Sequence, residues 1–330
     1  MFEKKPRACC ARSRRVTDGD AHLEPRRTRH RRPQANRPEP APAVRHARRA
    51  RGETSPAWLL LAPFLLAFLL FFFGPALQTF YLSLTESSLT RTSGFVGLAN
   101  YATLVQDPSF WASLGNTFYF ALLTVIPLTA LGLVMALLVH RFVRFQSWLQ
   151  GAFFLPYVLP ISVMTLIADW MLQPSSGVIN YLVGGQRAWL ADVHWALPSV
   201  AIGTVWWTVG FNMLMLLAGL RNIPAELYEA AALDGARGFT LFRAITWPAL
   251  KPVMGTALLI QLIASLKVFG QTYILTSGGP YNTSRVTLHY MYETAFTQSD
   301  AGYAAAVAMA FMVVVIALSL LARSIGRRAA

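Results

Sequence analysis

A chain of 330 residues with 55% hydrophobic and only 13% charged side chains lacks the polar surface of a soluble domain, where about a quarter of residues are charged. Its formal charge of +14 is uneven: sixteen of the 29 lysines and arginines, against five carboxylates, lie in residues 1–51. The basic character therefore belongs to a tail, which excludes extending a nucleic-acid reading to an otherwise lipid-like body.

Residues 1–52 are rich in arginine, proline and alanine and hold almost no bulky apolar groups. Such a segment cannot bury enough surface to offset its ordering entropy, so it is expected to be disordered. It reads first as a solvated extension, or as a start assigned too far upstream. Contact with anionic lipid or nucleic acid are the functional alternatives. The adjacent Cys9 and Cys10 offer neither a disulfide framework nor a spaced metal site. Ser13-Arg14-Arg15 is a twin arginine with no apolar region after it, so it is not read as an export signal.

Six stretches are then long and apolar enough to cross a bilayer, which takes about 20 residues. They are Ala57–Leu82, Asn116–Val139, Gln150–Leu172, Ala196–Leu220, Val253–Thr276 and Tyr303–Arg323. Pro63 and Pro75 are expected to kink the first. One set of connections carries the tail, Arg141, Arg144, Arg221, Arg237, Arg243, Lys251, Arg323, Arg327 and Arg328; the other offers only Arg91, Arg187 and Arg285. That bias puts both termini in the cytoplasm. The expected fold is an all-α integral membrane protein, with residues 53–330 forming a six-helix domain.

The polar interruption Arg221–Pro252 falls on the cytoplasmic side by the same rule. Asn222 and Pro224 predict a helix start, and Glu226 and Glu229 suit its positive end. Ala230, Ala231 and Ala232 keep that helix slim, and Gly235 stops it, because glycine takes a left-handed conformation without steric cost. A second short helix, with Phe239, Phe242 and Ile245 at helical spacing, is expected to end before Pro248 and Pro252.

Glu229-Ala230-Ala231, Asp234-Gly235-Ala236, Phe242, Ile245, Pro248 and Pro252 together resemble the EAA loop of binding-protein-dependent ABC importer permeases. Trp247 stands where that family more often has leucine. The resemblance implies that Glu229, Ala230, Ala231, Asp234, Gly235, Phe242 and Pro248 couple the chain to a cytoplasmic ABC ATPase dimer. It extends over about residues 55–325: Phe95 to Tyr101, Asp107 to Trp111, Pro174 to Asn180, Trp206, Gly210 to Asn212, and Thr276 to Pro280 all have counterparts. Gly278-Gly279-Pro280 is similar to the first permease of the maltose and glycerol-phosphate importers. A heterodimer with a second, homologous permease is therefore implied. So are an extracytoplasmic solute-binding protein, a bacterial-type inner membrane, and a sugar, oligosaccharide or glycerol phosphate as solute.

No Walker A loop is present, so ATP hydrolysis is expected in a separate subunit, with no enzyme activity, cofactor or metal here. His140, His194 and His289 lie on different connections and read as interfacial, and Ser265 as a helix-packing serine. Polar groups within apolar stretches are costly and therefore informative. Gln261, Lys267 and Gln271, with Asn212, are candidates for a hydrophilic path. For Lys267, about 22 Å along a helix from Pro252, snorkelling to the interface competes on equal terms. Asn212 leans towards helix packing, and Asp169 sits near its span's outer end. Trp58, Trp111, Trp170, Trp189 and Trp195 read as a membrane belt. The rival class, an ion-coupled secondary carrier or channel, would want buried carboxylates and an internal repeat, and neither is evident.

Overall fold

The computed structural model describes residues 55–329; the tail over 1–52, with Cys9 and Cys10, lies outside them. By contacts the chain divides into Met1–Trp58 and Leu59–Ala330, and the architecture below is that of the second unit. The helices in order are α1 Ser55–Phe68, whose part from Leu59 belongs to that unit, α2 Gly74–Ser83, α3 Ala99–Gln106, α4 Pro108–Arg141, α5 Gln146–Val158, α6 Ile161–Leu172, α7 Val178–Val183 and α8 Ala196–Arg221. After them come α9 Ala225–Leu233, α10 Phe239–Leu266, α11 Gly270–Thr276, α12 Thr287–Tyr292 and α13 Ala301–Ala329.

Among the described residues, five helical runs are long and apolar enough to cross a membrane: Leu59–Ser83, Pro108–Arg141, Ala196–Arg221, Phe239–Leu266 and Ala301–Ser324. A sixth exists only if α5 and α6, bent by 96° at their junction, count as one. The expected third span, Gln150–Leu172, is therefore a bent pair rather than one continuous helix. Proline disfavours helical geometry in the residue before it; Leu159, preceding Pro160, is extended at φ −66°, ψ 136°.

The expected fifth span is also displaced. The helix does not end before Pro248; it starts at Phe239 and runs through Pro248 and Pro252 to Leu266. A wide five-residue turn, Phe242–Thr246, leads into Pro248, with the Trp247 amide reaching back to the Phe242 carbonyl. Pro248 then falls in the first turn of regular helix, where a missing amide is harmless. At the far end Lys267 closes α10 and Phe269 is irregular at φ −148°, ψ −60°, so Thr276 belongs to the separate α11. A similar wide turn, Leu69–Phe73, precedes Pro75 between α1 and α2, whereas Pro63 lies within α1 without interrupting it.

The fold is not purely helical. Thr85–Ser87 and Thr92–Phe95 form an antiparallel hairpin (β1, β2). Asn100 Nδ2 fastens it by donating to the Ser83 and Thr85 carbonyls at 2.9 and 3.0 Å. Gly302 lets α13 approach it: a Cβ there would lie 2.2 Å from the Thr85 oxygen.

Three apolar clusters define two ends. Val139, Leu217, Leu220 and Leu250 pack at one, so Arg141 and the 221–238 segment share it. Leu104, Phe110, Leu266, Tyr290 and Tyr303 pack at the other, and Phe120, Val200, Val268 and Val286 join α4, α8 and the α10–α11 break. Buried hydroxyls tie the helices together, with Thr124 Oγ1 donating to Ser265 Oγ at 2.8 Å; Ser265 packs helices, as expected.

Asp107 caps α4 through the Ser109 amide at 2.8 Å and accepts from the Tyr290 and Tyr303 hydroxyls. Burial works to raise its protonation, but these bonds outweigh it and hold the carboxyl below the usual carboxylate range. A depressed carboxylate stabilises above its unfolded value, near 3.8, and loses that contribution as pH falls through the folded value. The melting temperature of the purified chain should therefore drop at strongly acid pH, and Asp107→Asn should flatten that drop.

Trp189 does not join a membrane belt. It is buried, donating from Nε1 to Asn180 Oδ1 at 2.8 Å and stacking edge-on against Trp195. Trp111 and Trp170 are exposed.

Candidate functional site

A cavity of about 270 Å³ opens where α4, α5, α8, α10 and α11 converge. Both breaks border it. Tyr157 lies just before the α5–α6 bend, and Val268 and Gln271 flank the α10–α11 break. A break frees backbone groups that hydrocarbon cannot satisfy, and here Trp207 Nε1 donates to the freed Leu159 carbonyl at 3.2 Å. The two irregular stretches also touch, since a Cβ on Gly270 would stand 2.6 Å from Ile161 Cδ1.

The lining combines aromatic faces with amides. Tyr157 stacks on Phe211 at 5.1 Å between centroids and inclines to Trp207 at 6.2 Å. Thr204 and Thr208 spend their hydroxyls on their own helix, on Val200 and Thr204 carbonyls. Gln261, only 6% exposed, and Gln271 take no side-chain hydrogen-bond partner among the described residues. The cavity thus offers flat apolar surface beside unspent donors and acceptors, a combination suited to a hydroxylated solute.

Of the four predicted path residues, the structure brings two together. Gln261 and Gln271 line the cavity; Lys267 and Asn212 do not. Lys267 is exposed at the end of α10, outside any continuous span. Asn212 is fully buried in helix packing: its Nδ2 donates to the Thr208 carbonyl at 3.3 Å, and a Cβ on Gly132 would lie 2.9 Å from its own. Tyr157 and Trp207 were missed. Their signal was an aromatic with a polar handle inside an apolar stretch, rather than at its edge.

The second candidate is the 221–252 segment at the opposite end from α11 and α12. Asn222 does not cap α9; its amide closes α8 on the Gly219 and Leu220 carbonyls, and extended Pro224 precedes α9. Glu226 does occupy the first turn. Gly235 is left-handed at φ +79°, as expected, and Gly238 also has a positive φ, +55° with ψ −122°, which had not been foreseen. Ala231 is buried, while Ala230, Ala232, Glu229 and Asp234 are exposed.

Glu229 makes no ion pair among the described residues. Tyr228 ties α9 to the segment that follows, its hydroxyl meeting Thr246 Oγ1 at 3.2 Å. Phe242 is half-buried between Phe239 and Trp247, and Pro248 is exposed. Leu233 and Phe239 stand 91% and 75% exposed on either side of the two glycines, an apolar pair presented on a polar loop.

Residues 128–330, which hold the loop and nearly all of the cavity wall, match the family described as binding-protein-dependent transport system inner membrane component. The chain belongs to that family. This permease is 34% identical to the sulfoquinovosyl glycerol transport system permease protein SmoG of Agrobacterium fabrum, over 82% of its own length and 88% of that protein. It is 33% identical to the trehalose/maltose transport system permease protein MalF of Thermococcus litoralis, over 83% and 95%. Its fold matches, at a TM-score of 0.73 and 23% identity, a chain of the bacterial alginate ABC transporter solved in complex with an alginate pentasaccharide-bound periplasmic protein, covering 83% of this permease and 94% of that chain. The permease is a multi-pass membrane component of a transport system and not a catalytic enzyme.

Proposed function

We propose that this permease forms half of the translocation path of an ATP-driven importer for a carbohydrate-type solute: a sugar, oligosaccharide or glycerol phosphate. The observation that carries the reading is the meeting of two broken helices at a cavity lined by aromatic rings and unpaired amides, because irregular backbone at membrane depth is stable only where it is buried or lines such a cavity. Relatives named for a sulfoquinovosyl glycerol and for trehalose and maltose support the solute class.

Counting the bent pair as one gives six spans among the described residues. The bias of basic residues beside α8–α10 supports a cytoplasmic location for that end and for both termini, in a bacterial-type inner membrane. There a separate ATPase dimer grips α9 and the exposed Leu233 and Phe239. A second, homologous permease completes the cavity wall, and a solute-binding protein docks at the opposite end. ATP drives transport only insofar as the ATPase dimer holds the loop differently in its two states.

Uptake by the complete system tests the path. Gln261→Leu and Tyr157→Ala should each raise the KM for solute roughly 5- to 30-fold, the value of one or two lost contacts of about 1 kcal/mol. ATP hydrolysis stimulated by the binding protein should persist. Unchanged KM in both variants, or uptake that proceeds without nucleotide, would overturn the reading.

A further inference from the structure

His289 is the most deeply buried titratable group at the end of the bundle away from the loop, at 1% exposure. Three elements close on it. From the wide turn that continues its own helix, Glu293 Oε1 lies 3.3 Å from Nε2. From α11 and the residue before it, Tyr273 and Phe269 meet the imidazole edge-on at 5.2 and 6.0 Å. From the connecting turn, Gly278 packs so closely that a Cβ would sit 3.1 Å from Cε1 and 3.4 Å from Nδ1.

The charged and titratable groups around it are few. Glu293 also pairs with Arg285 Nη1 at 3.2 Å, and Arg285 lies over the Tyr290 ring. Tyr273 packs in turn on Tyr292. Nε2 faces the Glu293 carboxylate at ion-pair distance, and Nδ1 is buried without a hydrogen-bond partner; with the neutral ring's one proton assigned to Nε2, towards the carboxylate, Nδ1 is the bare nitrogen. A second proton would sit on Nδ1, facing Gly278 and no acceptor, with Arg285 already sharing the carboxylate.

We propose that His289 is a positioning residue for transport: its neutral imidazole wedges α11, and with it Gln271, against the cavity, and a proton taken up from solvent on Nδ1 releases that helix. The significance of Gln271 rests on the path reading above; the movement of α11 does not. Burial depresses the protonation of His289 below its ordinary value near 6.5, Glu293 opposes this, and Arg285 adds to it. The sign follows. The wedge is complete above pH 6.5 and is lost as pH falls through the lower folded value.

The test needs no solute. Nitroxides are placed at Ile274→Cys on α11 and Val193→Cys before α8, both exposed, after Cys9→Ser and Cys10→Ser. Their separation is read by pulsed electron resonance in the full chain, assembled with its companion subunits, from pH 8 to 4.5. One narrow distance is expected at pH 8, with a second population growing to half below pH 6.5. His289→Gln, which keeps a polar side chain at this position but cannot titrate, should hold the narrow distance throughout. His289→Ala should broaden it at every pH. A distance unchanged with pH in the parent, or a shift that survives in His289→Gln, would overturn the proposal. Either result would leave the solute path standing, just as unaltered KM in the cavity variants would leave the motion of α11 standing.

Discussion

Gly210→Ala should deprive this permease of a stable bundle, although it adds one methyl group. A Cβ at that position would lie 2.0 Å from the Phe153 carbonyl oxygen, 2.8 Å from its carbon and 2.9 Å from Phe154 Cα. All three are backbone atoms, so no rotamer change relieves the clash; α5 and α8 must move apart. Overpacking a core typically costs 1–3 kcal/mol where side chains can yield, and with rigid backbone on both sides about 3 kcal/mol or more is expected. The same displacement would pull Trp207 from the Leu159 carbonyl and unstack Tyr157 from Phe211. Gly255→Ala is the matched control, because its Cβ meets nothing within 4 Å. In a helix interior that change should be neutral or stabilise by roughly 0.5–1 kcal/mol. Thermal aggregation of the detergent-solubilised chain measures both. Equal melting of Gly210→Ala and its parent would show that α5 and α8 do not cross as closely as described.

Which features the sequence disclosed follows from the physics each signal carries. Apolar length reports the cost of exposing polar backbone to hydrocarbon, so the stretches destined for the membrane were legible. It says nothing of direction within them. The bend at Leu159 was written in Pro160, but a hydropathy window averages over it. Pro248 and Pro252 misled in the opposite sense: proline reads as a stop, yet the wide Phe242–Thr246 turn places Pro248 where no amide is needed. Placing the span too late then carried Lys267 into a helix that in fact ends before it.

The cavity was half legible for the same reason. Gln261 and Gln271 stood out as costly polar groups in apolar surroundings, whereas Tyr157 and Trp207 gain their meaning from a bend. Trp189 was misread because it lies in the connection between α7 and α8, and no helical or strand spacing links it to its partner, Asn180 on α7. In the 221–252 segment the left-handed Gly235 was legible from its pattern. Gly238 was not, nor was the tie that Tyr228 makes to Thr246.

Substitutions at Gly235 should uncouple transport in the order glycine, asparagine, alanine, valine, from least to most impaired. The residue is left-handed at φ +79°, and a Cβ there would meet nothing within 4 Å. Space is therefore not the issue and the whole penalty is conformational. An ordinary residue pays roughly 1–2 kcal/mol for that geometry, asparagine less, and a β-branched residue most. Being exposed and at the edge of the bundle, the loop can escape the penalty by adopting another turn. The chain then folds normally, but the fraction of loops shaped for the ATPase falls about 5- to 30-fold, and apparent affinity falls by the same factor. Uptake and ATP hydrolysis stimulated by the binding protein should decline together across the series, while yield and melting temperature of the permease stay near the parent's. Excess ATPase subunit should restore the milder variants first, since mass action refills a sparsely populated state. Full uptake by Gly235→Val at limiting ATPase would mean that the engaged loop has a different backbone at this position, and the coupling assigned to it would have to move elsewhere on the surface.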